Sequence, residues 1–282
     1  MRVLTTTAEI AAQVARERAQ GLRIGLVPTM GALHQGHLSL VHRAKQECDL
    51  AVATIFVNPT QFGPKEDLSK YPRTLQEDLD QLHQARCDYV FVPAEGQMYA
   101  SGHSTYVEPP KVAERWEGAI RPGHFRGVCT IVLKLFQLIQ ANVAYFGRKD
   151  YQQLAVIRAM VEDFNVPIRI EACETIREPD GLAMSSRNRY LSNDERHRAL
   201  ALHRALKIAE RRIEQGEQSV QSIESAMQGE LMSAPVDSVD YAAIVDPVTL
   251  EPLQKIESSV VAIIAARLGT TRLIDNATFH SP

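Results

Sequence analysis

Residues 50–57 (LAVATIFV) constrain the fold more than any other stretch. They form a run of apolar and β-branched residues at strand length, without the polar alternation of a half-buried strand. Such a run suits a strand covered on both faces, as in the middle of a parallel sheet packed between helices. Shorter runs of the same kind stand at 23–28 (RIGLVP), 88–92 (DYVFV), 143–146 and 167–173. Between them lie segments that read as helices: one following a capping box at Thr6 and Glu9 and running to about residue 20, then 36–47, 74–85, 127–141 and 150–164. Strands alternating with helices predict an α/β fold, a Rossmann-like parallel sheet with helices on both faces. After residue 176 the rhythm changes. Helices at 193–214 and 219–232 precede strands at 240–246, 260–266 and 271–275, which predicts a smaller α+β C-terminal domain. The expected division is 1–176 for a nucleotide- and substrate-binding domain and 177–282 for a lid.

The overall balance narrows the function classes. With a net charge of −3 over 282 residues, the chain lacks the basic excess of a nucleic-acid or membrane-surface binder. No apolar run approaches the roughly 20 residues that span a bilayer, and residues 1–13 carry no apolar signal core. The four cysteines, Cys48, Cys87, Cys129 and Cys173, are scattered without a Cys-x-x-Cys pair, as expected of reduced thiols in a cytoplasmic protein.

Four segments carry candidate chemistry. In PTMGALHQGH, residues 28–37, a strand turns at Gly31 into a helix bearing His34 and His37. Such a helix start offers backbone amides and a positive dipole end to phosphate, and two imidazoles at i, i+3 could donate to phosphate oxygens. On the motif alone, a zinc pair lacking a third recognisable ligand and two solvated histidines remain open readings. In AYFGRKDYQQL, residues 144–154, Lys149 leaves the end of a strand with Asp150 and Gln153 close behind; it reads as a polyphosphate cation or as a surface lysine beside a capping aspartate. In GLAMSSRNRYLS, residues 181–192, Ser185, Ser186 and Arg187 suit a triphosphate-closing loop or an ordinary polar linker. The long connection 56–74 places Asn58 and Gln61 where they could hold a small polar substrate, while Glu77 and Asp78 downstream could reach a metal or an amine. IRPGHFRGV, 120–128, borders either the site or an oligomer contact.

Taken together, these words resemble the HxGH nucleotidyltransferase α/β phosphodiesterase superfamily. MSSRN sits where class I aminoacyl-tRNA synthetases carry their KMSKS-type loop. PTMGALHQGHLSL, FVNPTQF, FGRKDYQQL and GLAMSSRNRYLS resemble, within that superfamily, the pantothenate synthetase (pantoate–β-alanine ligase) family over nearly the whole chain. The resemblance implies ATP-dependent condensation of pantoate with β-alanine through a pantoyl adenylate, releasing pyrophosphate and AMP. It implies ATP contacts from Pro28, Thr29, Met30, Gly31, His34, His37, Gly147, Lys149, Asp150, Ile176, Met184, Ser185, Ser186 and Arg187. Of these, His34, His37, Lys149 and Arg187 would act in catalysis, and Gln61, Gln153 and Asn58 would hold pantoate and β-alanine. Mg²⁺ with unassigned ligands, a cytoplasmic location and a homodimer are also implied. An adenylyltransferase whose product retains AMP, and a non-catalytic nucleotide sensor, are the rival readings.

Overall fold

The computed structural model describes residues 1–64 and 66–280. Its strands are β1 (Arg2–Leu4), β2 (Ile24–Thr29), β3 (Leu50–Ile55), β4 (Tyr89–Phe91), β5 (Val143–Gly147), β6 (Arg169–Cys173), β7 (Ser238–Val245), β8 (Val260–Leu268) and β9 (Thr271–Phe279). The helices are α1 (Thr7–Ala19), α2 (Gln35–Glu47), α3 (Leu75–Gln84), α4 (Glu95–Met98), α5 (Glu117–Ile120), α6 (His124–Ile139), α7 (Tyr151–Asp163), α8 (Asn193–Glu214) and α9 (Val220–Ser233). The strand at Arg2–Leu4 was not anticipated: it is three residues long with only Leu4 buried, too short to carry a pattern.

Six strands form a parallel sheet in the order β1-β4-β3-β2-β5-β6. The unbroken apolar runs follow from its two covered faces. Along β3, Val52 packs into the cluster built by α1, α6 and α7, whereas Ala51, Ala53 and Ile55 pack into the cluster built by α2 and α3. On β5, Ala144 and Phe146 face one cluster and Val143 and Tyr145 the other. Both apolar sets leave water, so no polar alternation is needed. α1 starts from the expected capping box between Thr6 and Glu9.

The strand order reverses between β2 and β5: β2 leads outward through β3 and β4, and β5 leads the other way to β6. The β2–β3 register runs to Thr29 and Ile55, but the β2–β5 register stops at Leu26 and Ala144. Pro28, which has no N–H, lies beyond that last β5 partner, so its missing donor breaks no ladder there. The carboxyl ends of β2 and β5 therefore flank the switch point where ligands bind in open α/β sheets.

Chain packing separates residues 1–147 with 152–174 from residues 148–151 with 175–282. The second unit is an antiparallel sheet, β7-β8-β9, covered by α8 and α9. Its central strand β8 buries every residue except Arg267, and Leu202, Leu206, Ile223 and Met227 complete its core.

The described cysteines are free thiols. Burial pushes Cys87 and Cys129 up to about 12 and Cys173 up to about 11, which makes them poor nucleophiles near neutrality. No helix among the described residues is long and apolar enough to cross a membrane.

Candidate active site

The turn after β2 explains the paired histidines. Gly31 and Ala32 both take positive φ, +80° and +50°, which aims successive amides at one point. An anion occupies that point, and it belongs to the chain. Asp78, 1 % exposed in the first turn of α3, accepts Ala32 N–H at 3.0 Å, Leu33 N–H at 2.8 Å and the Thr74 hydroxyl at 3.3 Å. A Cβ on Gly31 would lie 2.9 Å from the Asp78 carboxylate, so only glycine fits. Asp78 thus anchors the loop, in place of the metal- or amine-binding role considered for it.

The next amides are also satisfied internally. His34 is the N-cap of α2, with its Nδ1 accepting Gly36 N–H at 3.1 Å, and His37 Nδ1 accepts His34 N–H at 3.3 Å. The two rings lie 4.1 Å apart at 40°. Because each Nδ1 accepts from an amide, the proton of each neutral ring resides on Nε2. The amides of His34 and Gly36 at the helix start are thus engaged by the two rings. With both Nδ1 atoms accepting amides, the two imidazoles carry their N–H on Nε2 beside the positive end of α2. Thr29 is likewise structural through its side chain, donating to Thr54 O at 2.6 Å and accepting Gly31 N–H at 3.2 Å.

Asn58 and Gln61 sit beyond β3, and the structure separates their roles. Asn58, 1 % exposed, has its full donor and acceptor capacity engaged. Its Nδ2 donates to Gln61 Oε1 (3.0 Å) and Gly127 O (3.1 Å), while its Oδ1 accepts Thr60 Oγ1 (3.0 Å) and the Tyr99 hydroxyl (2.7 Å). Asn58 therefore holds Gln61 in place, with its own side chain engaged within the chain. Gln61 Nε2 reaches Met30 Sδ at 3.2 Å, bringing the β2 and β3 loops together. Gln153 on α7 is half-buried, whereas its neighbour Gln152 is a structural brace to Glu117, Val112 and Arg115.

The segment 120–128 borders Gln61. His124 lies against Gln61 O with Nδ1 at 2.9 Å, which makes Nδ1 the donor and leaves Nε2 to accept from Arg121 at 3.1 Å. Arg121 in turn grips Glu66 through two bonds of 2.7 Å. Burial, reinforced by the Arg121 charge, lowers His124 from 6.5 to about 4. Between those values the unfolded chain binds a proton that the folded chain refuses. Unfolding free energy is thus expected to rise with pH from about 4 to 6.5 and to be lost as pH falls through that window, by up to about 1.4 kcal/mol per unit. Chemical denaturation at stepped pH measures the slope, and His124→Gln should flatten it. A slope unchanged by that substitution would assign it to other groups.

Gly127 marks a close approach of α6 to the Gln61 turn: an added Cβ would lie 2.4 Å from Thr60 O and 2.6 Å from Gln61 Cα. Backbone cannot yield as a flexible side chain can. Gly127→Ala is expected to destabilise by about 1–3 kcal/mol through overpacking and to raise KM for any substrate held by Gln61. Stability and KM that both match the parent protein would refute the close fit.

The remaining site residues lie around β5 and in the second unit. Gly147 closes β5, and Lys149 and Asp150 follow in a 3-10 turn, Arg148–Asp150, with Lys149 Nζ 3.6 Å from Asp150 Oδ1. Ile176 O accepts Met184 N–H at 2.9 Å, closing a small hairpin turned by Gly181 at φ +95°. That hairpin leads into the 3-10 turn Ser186–Tyr190, capped by Ser185, whose Oγ accepts Arg187 N–H at 3.3 Å; Ser186 is buried. Asn188 donates to Glu178 Oε1 and Ala183 O, locking turn to hairpin. Within the second unit both 3-10 turns pack against β9. Sequence reading singled out the cationic segments but missed the polar Asp275–Asn276 pair of β9 that contacts them. An adjacent Asp-Asn following Leu273 and Ile274 in a strand-like run was the available signal.

A parallel sheet whose switch point abuts a histidine-bearing helix start is the architecture of a nucleotide-using α/β enzyme. The family model described as pantoate–β-alanine ligase matches residues 2–278. A pantothenate synthetase from Pseudothermotoga lettingae is 52% identical over 264 residues, covering 94% of each chain. The crystal structure of pantothenate synthetase from Thermus thermophilus is similar at TM-score 0.94 and 46% identity, covering 98% of this chain and 99% of that one. A pantoate–β-alanine ligase from Francisella tularensis, complexed with β,γ ATP and β-alanine, is similar at TM-score 0.82 and 35% identity over 98% and 97% of the two chains. The chain belongs to the pantoate–β-alanine ligase family and is a ligase.

Proposed function

We propose that the chain condenses pantoate with β-alanine in two steps at the expense of ATP. The observation that carries the reading is the pair of Nε2–H donors fixed on one helix start by amides on both Nδ1 atoms. In the first step a pantoate carboxylate oxygen attacks the α-phosphorus, a P–O bond forms, and the bond to pyrophosphate breaks. A carboxylate nucleophile has no proton to lose, so His34 and His37 act electrostatically on the developing phosphate charge rather than as bases. Lys149, Arg187 and the hydroxyls of Ser185 and Ser186 neutralise the departing pyrophosphate. Gln61 and Gln153 hold pantoate. In the second step the neutral amine of β-alanine attacks the acyl carbon, the C–N bond forms as the C–O bond to AMP breaks, and the nitrogen's extra proton passes to the departing AMP or to water. Proximity supplies most of that second rate.

Among the described residues, no group of three or more His, Cys, Asp or Glu could hold a metal ion. Mg²⁺, if it takes part, would arrive with the triphosphate, since such ions are commonly held by substrate phosphates and water. When bound, the ion offsets charge on the phosphates. The reading places the enzyme in the cytoplasm as a homodimer, and light scattering measures the second point.

The test is incubation with ATP, pantoate and Mg²⁺, following pyrophosphate and AMP with and without β-alanine. AMP release that requires β-alanine is the expected result. A product that retains AMP would instead identify an adenylyltransferase, and ATP binding without pyrophosphate release a nucleotide sensor.

A further inference from the structure

Two adjacent residues of β9 hold both cationic segments of the second unit. Asn276, 7 % exposed, donates both amide hydrogens to the turn that carries the lysine: Nδ2 lies 3.0 Å from Arg148 O and 2.8 Å from Lys149 O. Asp275, 3 % exposed, accepts Arg177 Nη1 at 2.6 Å and Nη2 at 2.9 Å, and its Oδ1 also takes Asn276 N–H at 2.8 Å. Arg177 opens the hairpin that ends at Met184, and its Nη1 donates to Gly181 O at 3.1 Å. The hairpin is further tied down by Arg196, which bridges Glu178 and Asp180.

These bonds are unusual in what they grip. A buried strand side chain ordinarily completes packing or a local turn. Here the partners of Asn276 are backbone carbonyls 127 and 128 positions away in sequence. No nearer donor is needed to build β9 itself, whose ladder with β8 is continuous from Val260–Phe279 to Leu268–Thr271. Both hydrogens of the amide are committed to one short turn, and loss of either leaves a carbonyl there without this donor.

We propose that Asn276 is a positioning residue for Lys149, and that with Asp275 it makes one rigid piece of the lysine turn and the Met184–Arg187 loop. The two cations would then meet the triphosphate in a set geometry, without an entropic search at each turnover. The inference rests on the reading that Lys149 acts on ATP.

A double-mutant cycle tests it, because residues that act through one another are non-additive. Asn276→Leu preserves side-chain bulk but removes both donors. It is expected to lower kcat about a hundredfold. In a Lys149→Ala background the same substitution should change kcat by no more than about twofold. Penalties that multiply across the two sites, or wild-type turnover in Asn276→Leu, would overturn the positioning role. Normal turnover in Lys149→Ala alone would overturn the role of the lysine instead, which separates the two failures. If Asn276→Leu does not fold, Asn276→Ser, which retains one donor, goes through the same cycle with the same criteria.

Discussion

His37→Ala lowers kcat at saturating ATP by about a hundred- to a thousandfold, the cost of removing one donor to a developing charge, roughly 3–4 kcal/mol. The substitution has a second, smaller consequence. His37 Nδ1 accepts the amide of His34, so alanine also strips a cap from α2, worth about 1 kcal/mol. His37→Asn separates the two effects. Its side-chain oxygen can accept the same amide, but its short amide group cannot reproduce an Nε2–H at imidazole length. The expected result is stability close to the parent protein with turnover still reduced. Full activity in His37→Asn would show that the imidazole serves the fold alone. Thermal melts and pyrophosphate release on the three proteins decide the matter.

Asp78→Ala is expected to be the most damaging change outside the histidine pair. It leaves the Ala32 and Leu33 amides buried without their acceptor, at about 1–3 kcal/mol for each unsatisfied group. It also releases two consecutive residues with positive φ, one of them the non-glycine Ala32. With that turn loosened, His34 loses its fixed approach into α2, and activity should fall with stability. Asp78→Asn is the informative companion, since its amide can accept one of the two N–H groups but sets its own NH₂ against the other. An intermediate loss of stability and an unchanged Mg²⁺ requirement are expected. Retained stability with a sharply raised Mg²⁺ requirement would return Asp78 to metal binding.

Much of the architecture was legible because it follows from local patterns. The helix at Asn193–Glu214 appears with the expected bounds, and β2, β3, β5, α2 and α7 lie within two residues or so of theirs. Their apolar runs and caps record which faces leave water, and neighbouring residues suffice to express that. The first strand escaped because three residues hold too little pattern, and β9 extends four residues beyond the expected 271–275 because its partner β8 supplies the pairing. At the site, residue type was a good guide to candidates and a poor guide to roles. Asn58, Thr29 and Asp78 are polar, near the motifs and chemically capable, yet their side chains are occupied within the chain. A hydrogen-bonding side chain has limited capacity, and only its neighbours in space determine how much of it a ligand could use.

The order of letters alone determined the layered α/β sheet, the smaller α+β unit and the location of the histidine, lysine and Met-Ser-Ser-Arg segments, since periodicity, caps and turn residues act over a few positions. Only the folded chain decided that Asp78 fills the anion-binding turn, that both imidazoles present Nε2–H, and that Asn276 grips the lysine turn. The first and last of those outcomes depend on hydrogen bonds between residues dozens to more than a hundred positions apart, and the second on bonds only two and three positions apart whose ring geometry the folded turn sets. Each of the long-range bonds closes a long loop, and no local signal encodes which distant partner closes it.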